Sequence, residues 1–369
     1  MSGIALLASL CWSILGWGQQ QRALSRYFTE PTLPQDVYRV HPIPIDTREM
    51  TGPPDTLYQC VSADGKPLSY YRKIVTEVCF DNSCRLLRVN LYWNVTGRYL
   101  GFELPPNEFL SKAEHEPFTA DEYLRLHGIL ADSLSPIGSF TYQELLPRRP
   151  VIGQLDAITG ATSKDVMQYV VKGAAFTTYT VWNLIYGETQ AEVVKATERL
   201  MDGDYLLGIL NSQDAWDHHW ALDRLNLISE VPDSVKHRVL DLACDDSYNL
   251  ATHALEAIPS NWCDEPRFQQ ALWAKFDCVL YALKPALLNK IQLSDHPNET
   301  VLLEVARRLP SMNGPVLTAG LECLGEYLSD NRQVFMQVSS LLDHENRFVV
   351  NQVKKLLAAV AADTPKYRH

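Results

Sequence analysis

The chain has no excess and no run of basic residues. Its 33 Lys and Arg against 44 Asp and Glu give a formal net charge of −11. Because DNA- and RNA-binding proteins present basic surfaces to phosphates, this balance disfavours nucleic acid as a partner. The sequence also lacks a Gly-x-Gly-x-x-Gly or Walker loop, a Cys-x-x-Cys-His motif and a Gly-x-Ser-x-Gly elbow. These absences argue against a bound dinucleotide or nucleoside triphosphate, covalent haem and a hydrolase-type nucleophile.

Long apolar runs are missing as well. Residues 4–15 form a 12-residue apolar stretch, which is too short to span a bilayer but typical of a signal-peptide core. Gly16 and Gly18 supply small residues before a possible cleavage site, although no Lys or Arg precedes the stretch. We therefore predict a signal peptide over residues 1–18 and an exported, periplasmic or cell-envelope protein. A buried N-terminal helix is the alternative.

The length of 369 residues, 46 % of them apolar, indicates two domains with ordinary cores. Residues 19–55 are rich in Pro, Thr and charged residues without a period, and they predict an extended N-terminal arm. The patterns that follow predict one domain over residues 56–187 and a second over residues 188–369.

The first domain begins with strand patterns. Residues 57–61, 70–80, 84–93 and 100–104 are rich in β-branched and aromatic side chains. In the third run, Leu87, Val89, Leu91 and Trp93 alternate with Arg88, Asn90 and Tyr92, so the two sets should face opposite sides of a sheet. Asp81 and Asn82 fit a two-residue hairpin loop between the second and third runs.

Helical spacing appears next. Residues 118–134 predict a helix capped by Thr119, with Tyr123, Leu124, His127, Leu130 and Leu134 on one side. A lone histidine such as His127 on an apolar face is more often a packed residue than a ligand. Residues 139–145 resemble a strand, and residues 164–186 predict a buried helix that Gly187 ends.

The second domain carries no strand pattern and repeats itself. Leu210, Leu242, Leu309 and Leu342 each precede a polar turn between two apolar helical segments, at offsets of 32, 67 and 33 residues. A helix-pair unit of about 33 residues is typical of an α-solenoid and resembles HEAT repeats. Each of the four leucines is predicted to be buried at an equivalent position.

Between the two regions, small and hydroxyl residues precede the predicted helix in the segment Asp156-Ala157-Ile158-Thr159-Gly160-Ala161-Thr162-Ser163. A helix N-terminus offers unpaired amide donors and a positive dipole end, which suit a phosphate. An ordinary turn with Thr162 or Ser163 as N-cap is the structural alternative.

This segment resembles the flavinylation motif, Asp-x-x-(Ser/Thr)-Gly-Ala-Thr, of FMN-binding domains such as those of the sodium-pumping NADH:quinone reductase. The resemblance implies an α+β FMN-binding domain whose FMN is joined by a phosphoester to Thr162. It also implies a flavin transferase for maturation, with Asp156, Thr159, Gly160, Ala161 and Ser163 completing the cofactor-binding segment. The full fold class is then an α+β FMN-binding domain followed by an all-α, HEAT-like helical-repeat domain.

The function implied by the resemblance is electron transfer rather than catalysis on a specific substrate. The helical repeats would dock a redox protein or a membrane electron-transport complex. A scaffold whose FMN-binding-like domain has no cofactor is the alternative.

Two further patterns concern Cys and His. If Asp81 and Asn82 form the hairpin loop, Cys79 faces Cys84 at a distance that a disulfide accepts, which predicts a Cys79–Cys84 bridge in the exported protein. His218 and His219 lack the spacing of a metal site, so a solvated helix start is favoured there.

Overall fold

The computed structural model describes residues 26–47, 49, 55–76, 86–112, 116–141, 144 and 168–363. These residues form two compact units that divide between Leu200 and Met201. The first unit combines an antiparallel sheet with helices, and the second unit is helical, so the layout is α+β followed by all-α. No helix among the described residues is long and apolar enough to cross a bilayer.

Within the described part of the first unit, six antiparallel strands form one sheet in the order β1-β6-β5-β4-β3-β2. The strand bounds are β1 Arg26–Phe28, β2 Arg39–Ile45, β3 Asp55–Val61, β4 Pro67–Thr76, β5 Leu87–Asn94 and β6 Tyr99–Glu103. The predicted runs at residues 57–61, 70–80, 84–93 and 100–104 correspond to β3 to β6. Segment 19–55, which sequence analysis set outside the compact domain, supplies both edge strands, β1 and β2.

Alternation in β5 occurs as predicted. Leu87, Val89, Leu91 and Trp93 are buried, whereas Arg88 is exposed and Asn90 and Tyr92 are half-buried. The buried face packs against the helices of this unit, and the Trp93 indole donates to the Ile185 carbonyl at 2.9 Å. The predicted hairpin loop and the Cys79–Cys84 pair lie outside the described residues, which show Thr76 opposite Leu87.

Among the residues that the structure describes, the helices on the buried face are α1 Ala120–Ala131, α2 Ala175–Ile185 and α3 Glu188–Glu198. Thr119 caps α1 in a capping box with Glu122, as its spacing predicts. The predicted apolar side of α1 is partly wrong, because Leu124 and Leu134 are exposed and Leu126 is buried in their place. Residues 136–139 form a 3₁₀ turn, so the predicted strand at residues 139–145 is wrong at its start.

Helix α3 belongs to the first unit, although the sequence-based boundary at 187/188 assigned it to the second. Its inner face meets the sheet through hydroxyls and an amide: Thr197 donates to the Tyr70 hydroxyl at 3.0 Å, and Gln190 donates to the Gly97 carbonyl at 2.9 Å. The apolar spacing of α3 resembles that of the repeat helices, so the sequence pattern did not assign it to the first unit. Only its contacts with the sheet do so.

The described residues of the second unit, 201–363, form five helix pairs. The pairs are α4 Gly203–Leu210 with α5 Ala215–Leu222, α6 Asp233–Leu242 with α7 Tyr248–Ala257, α9 Pro266–Ala274 with α10 Lys284–Gln292, α11 Glu299–Arg308 with α12 Gly314–Gly325, and α13 Arg332–Ser340 with α14 Arg347–Asp363. A short helix, α8 Ser260–Cys263, follows the second pair. The first helix of each pair packs on the first helix of the next pair. Among the second helices, α5 packs on α7, α10 packs on α12, and α12 packs on α14.

No strand occurs in residues 188–362, all of which are described, and this confirms the prediction for that range. Polar caps recur with the period of the repeat, since Asn298 and Asn331 cap α11 and α13 and lie 33 residues apart. Leu210, Leu242 and Leu309 are buried as predicted. Leu342 is 37 % exposed, so its predicted burial is wrong; the adjacent Leu341 fills the core because a 3₁₀ turn starts there.

Candidate functional site

The segment that resembles a flavinylation motif, Asp156 to Ser163, lies outside the described residues. The structure therefore does not place Asp156, Thr159, Gly160, Ala161, Thr162 or Ser163. It does describe both flanks, since the chain is described up to Ser139–Thr141 and Glu144 and again from Gln168 onward.

The downstream flank is fastened to α1 and α2. The Arg125 guanidinium on α1 donates to the carbonyls of Gln168 at 3.1 Å and Val170 at 3.2 Å. The Val171 amide donates to the buried Thr178 hydroxyl at 3.2 Å, and this hydroxyl donates to the Ala174 carbonyl at 2.8 Å. The chain that leaves the motif is thus fixed to the helices that cover the sheet.

This flank corrects the predicted helix over residues 164–186. Residues 168–174 form turns, Gly173 has φ +78°, and helix α2 begins only at Ala175. Positive φ suits glycine and is incompatible with a continuous right-handed helix. The N-terminus of α2 is therefore 13 residues beyond Thr162 in sequence, and it is not the helix end that the sequence argument assigned to a phosphate.

A fully buried arginine occupies the core side of β4. Arg72 Nε donates to Asp55 Oδ2 at 2.7 Å, its Nη2 donates to Thr47 Oγ1 at 3.1 Å, and its Nη1 contacts Glu49 and Thr189. Glu49 Oε1 in turn accepts from the Thr189 amide at 3.1 Å, near the N-terminus of α3. Since the guanidinium is surrounded by protein acceptors, it ties strands to helix rather than offering donors to a ligand.

The opposite face of the sheet carries a row of tyrosines at paired positions of β3, β4 and β5. The ring centroids of Tyr58 and Tyr71 are 4.7 Å apart, and those of Tyr71 and Tyr92 are 5.2 Å apart. Lys73 Nζ lies 4.9 Å from the Tyr58 centroid, and the Tyr92 hydroxyl donates to Glu103 at 2.7 Å. Partial burial, with smaller contributions from neighbouring groups, raises the pKa of Tyr71. Cross-strand stacking of this kind stabilises a half-exposed sheet.

His127 lies on the side of α1 that meets the sheet. Its Nδ1 is 3.2 Å from the Tyr99 hydroxyl, and the two rings are 5.6 Å apart. Burial lowers the pKa of His127 and therefore favours the neutral imidazole. The packed role favoured from sequence agrees with this geometry.

The His218–His219 pair is not a solvated helix start, so that prediction is wrong. His218 is buried, and its Nε2 is 2.9 Å from the Ser212 carbonyl. His219 Nδ1 on α5 lies 2.6 Å from His253 Nδ1 on α7, and His253 Nε2 lies 2.9 Å from Asp223 Oδ1. The residue missing from the sequence argument was His253, which is 34 residues, or about one repeat, after His219.

The Asp223 carboxylate sets the direction of the hydrogen bonds that link His219, His253 and Asp223. Asp223 can only accept, so His253 Nε2 carries a hydrogen, and in the neutral pair His253 Nδ1 accepts from His219 Nδ1–H. Burial first, and then His253, lowers the pKa of His219. No group of three or more His, Cys, Asp or Glu within the described ranges is arranged to hold a metal ion.

A disulfide joins Cys244 to Cys278, with Cα atoms 5.4 Å apart and a separation of 34 residues. Both cysteines follow a first helix, in the second and third repeats, so the repeat period brings them together. Sequence analysis missed this bridge, although the 33-residue spacing contained the signal for it. Burial raises the pKa of Cys263 to about 11 and that of Cys323 to about 12, which keeps both thiols protonated and poorly reactive.

Cavities of several hundred Å³ lie between neighbouring helices in the described part of the second unit. One of about 600 Å³ extends from Leu222 to Glu265, and one of about 730 Å³ lies on the other side of the Lys236–Glu265 ion pair. A third, of about 530 Å³, lies between α9 and α11 and is lined by Trp273 and Arg307. These open grooves mix apolar and charged groups, and no catalytic arrangement is among their lining residues.

Comparison with known proteins adds no assignment, because no family model and no curated protein matches the chain.

Proposed function

We propose that the protein is an exported electron-transfer flavoprotein that carries FMN on Thr162. The observation that carries this proposal is the segment Asp156-Ala157-Ile158-Thr159-Gly160-Ala161-Thr162, which matches every fixed position of the flavinylation pattern. Average residue usage gives such a match by chance about once in a thousand chains of this length. The α+β architecture of the first unit is compatible with an FMN-binding domain.

The residue types at the motif suit a covalently held flavin phosphate. Gly160 and Ala161 leave the backbone open to close approach by a bulky group. Thr162 supplies the hydroxyl for the phosphoester, and Ser163 adds a neighbouring hydroxyl. Asp156 and Thr159 complete the pattern that a flavin transferase recognises. When bound, FMN accepts and donates electrons singly or in pairs, while the protein provides attachment and access.

The second unit supports a docking role. Five helix pairs at a period of about 33 residues, stacked first helix on first helix, form the HEAT-like solenoid that we propose for residues 201–363. Such a surface would dock a redox protein or a membrane electron-transport complex. The Cys244–Cys278 disulfide supports export, because disulfides persist mainly in oxidising compartments.

The test is co-expression with a flavin transferase, followed by a denaturing gel under ultraviolet light and intact-mass measurement. We expect the wild type to fluoresce and to gain the mass of one FMN residue. The matched control Ser163→Ala should keep both signals, and Thr162→Ala should lose both.

A dark wild-type band, in cells where the transferase labels a known target, would contradict the flavin. The helical-repeat scaffold without a cofactor would then be the better description. Labelling that survives Thr162→Ala but disappears in Ser163→Ala would instead move the attachment by one residue.

A further inference from the structure

Large aromatic side chains are exposed at the same place in four of the five helix pairs. Trp216 is 60 % exposed, Tyr248 53 %, Tyr281 56 % and Phe348 44 %. Their separations are 32, 33 and 67 residues, which correspond to one, one and two repeats. Each lies within three residues of the start of the second helix of its pair. The fourth pair has exposed Pro315 at this place.

Packing does not require these side chains. The cores of the same helices are filled by other residues, such as Leu222 in α5 and Leu250 and Leu255 in α7. Single exposed aromatics are common on protein surfaces and need no explanation. One exposed aromatic recurring with the repeat is different, because independent chance exposure would not follow the period. We call Trp216, Tyr248, Tyr281 and Phe348 the aromatic ladder.

Contacts between neighbouring repeats keep the ladder on one edge of the unit. Helices α5 and α7, which carry Trp216 and Tyr248, meet through the 2.6 Å contact between His219 and His253. The turns before Tyr248 and Tyr281 are joined by the Cys244–Cys278 disulfide.

The next step along the edge is also fixed. The Tyr281 hydroxyl donates to the side-chain oxygen of Asn313 and to the Asn313 backbone carbonyl, which is 3.3 Å away. Asn313 lies at the start of the fourth pair's second helix. Helix α12 of the fourth pair packs on α14, which carries Phe348. The ladder positions therefore follow one another in repeat order along one edge, with the fourth pair lacking an aromatic rung.

The spacing of the rungs selects an extended ligand with a matching period. Packed helices lie about 8–10 Å apart, so rungs one repeat apart should be separated by about that distance, and Tyr281 and Phe348, which are two repeats apart, by about twice that distance. A polyproline II helix advances about 9.3 Å per turn of three residues. Successive turns of such a segment would present one proline face to each rung, and aromatic side chains are the groups that bind proline rings.

The charge beside the rungs is acidic. Asp214 comes two residues before Trp216, and Asp245 and Asp246 come just before Tyr248. At the last rung, Asp343 and Glu345 outnumber Arg347, which directly precedes Phe348. At the third rung, Asp277 pairs with Arg308. Carboxylates next to aromatic rings favour Arg and Lys through ion pairs and cation–π contacts.

We propose that the aromatic ladder binds an extended, proline-rich and basic polypeptide segment of a partner protein. This inference deepens the docking role proposed above, but it does not depend on the flavin, because all the residues involved belong to the second unit.

The test uses the full-length protein and a fluorescein-labelled peptide of four Pro-Pro-Arg triplets, followed by fluorescence anisotropy. We expect saturable binding, weakened about tenfold or more by Trp216→Ala and by Tyr248→Ala. Phe335→Ala is the matched control, since Phe335 is also an exposed aromatic but lies on a first helix, away from the ladder. It should leave the affinity unchanged. Circular dichroism and melting curves establish that each variant is folded.

Two comparison peptides separate charge from conformation. A Gly-Gly-Arg peptide of equal charge and a Pro-Pro-Glu peptide should both bind at least about tenfold more weakly. Equal binding of the Pro-Pro-Arg and Gly-Gly-Arg peptides, with no loss in the ladder variants, would overturn the proposal in favour of simple charge attraction. Binding of a linear oligosaccharide such as cellohexaose, lost in Trp216→Ala, with no peptide binding would also overturn it.

Thr162→Ala separates this proposal from the flavin. We expect this variant to bind the peptide as the wild type does. A flavin-labelled protein that binds no peptide would remove the ladder proposal and leave the flavin proposal standing. A protein that binds the peptide but takes up no flavin would do the reverse.

Discussion

The contacts inside the first unit and those inside the second unit join residues at very different separations in sequence. In the first unit, Arg72 and Thr189 meet across 117 residues, Glu49 and Thr189 across 140, and Trp93 and Ile185 across 92. In the second unit, His219 meets His253, Asp241 meets Lys275 and Tyr281 meets Asn313 across 32 to 34 residues. The first unit therefore depends on long-range pairings that each occur once. In the second unit, contacts between residues about one repeat apart recur along the chain.

This difference has consequences for stability. A pairing that joins strand, arm and helix, such as the one around Arg72, couples distant parts of the first unit into one cooperative structure. In a stack of repeats, each repeat contacts mainly its neighbours, so local damage can stay local. Substitutions in the two units should therefore differ in how far their effects spread.

The largest effect is expected from Arg72→Met. Removal of the guanidinium leaves Glu49 and Asp55 without their buried cation, and loss of one partner of a buried ion pair typically costs about 3–5 kcal/mol. Thermal unfolding followed by hydrogen exchange should show destabilisation throughout the first unit and normal protection in the second. Arg88→Met is the control, because the Arg88 side chain is exposed and its contact with Glu108 is long, at 3.8 Å, so it should contribute under about 1 kcal/mol. Equal effects of the two variants would contradict the role of Arg72.

Leu242→Ala is the counterpart in the repeats. Leu242 is buried at the end of α6, and truncation of a buried leucine costs about 2–5 kcal/mol. Hydrogen exchange should show the loss concentrated in the second helix pair and its two neighbours. Leu342→Ala, at the exposed position, should cost less than about 1 kcal/mol, and Leu341→Ala should behave like Leu242→Ala. A large cost for Leu342→Ala would restore the register that was predicted from sequence.

The Cys244–Cys278 bridge tests whether a repeat can be released from its neighbour. For a separation of 34 residues, the loop-entropy model predicts that the disulfide raises the free energy of unfolding by about 3–4 kcal/mol. The double variant Cys244→Ser/Cys278→Ser should therefore melt lower than the oxidised wild type in calorimetry. The second-unit transition of the reduced wild type should match that of the double variant, and the first-unit transition of the unreduced double variant should not move.

The predicted Cys79–Cys84 bridge can be tested with the same proteins. Peptide mapping without reduction should find a peptide that links these two residues in the secreted protein. If both thiols are alkylated without reduction, that bridge does not exist. A further fall in melting temperature when the double variant is reduced would be expected only if it does.

The smallest effect concerns pH. The folded pKa of His219 is lowered, so the folded state favours neutral imidazole. Its stabilising contribution is therefore present above the unfolded pKa of about 6.5 and is lost as the pH falls through the lower folded value. Between pH 7.5 and pH 5.5, His219→Gln should lose less melting temperature than the wild type, and the exposed His237→Gln should behave as the wild type. An NMR titration that gives His219 a pKa above 6.5 would contradict this.

The patterns that succeeded from sequence were local. Alternation in β5, the Thr119 cap and the helix-pair period each depend on residues within about one repeat, and the corresponding elements occur in the structure. The motif at Thr162 is also local, and its functional reading stays a proposal. Local periodicity is readable because a strand repeats every two residues and a helix every 3.6.

Sequence by itself thus determined strands β3 to β6, helix α1, the helical character and period of the second unit, and the candidate flavin segment. Tertiary structure decided that residues 39–45 pair as an edge strand, that α3 belongs to the sheet, and that helix α2 starts at Ala175 rather than near Thr162. It also decided which residues meet across repeats, including His219 with His253 and Cys244 with Cys278. The reason is physical: these features depend on which distant groups can satisfy one another's hydrogen bonds and fill one another's space, and a local pattern does not contain that information.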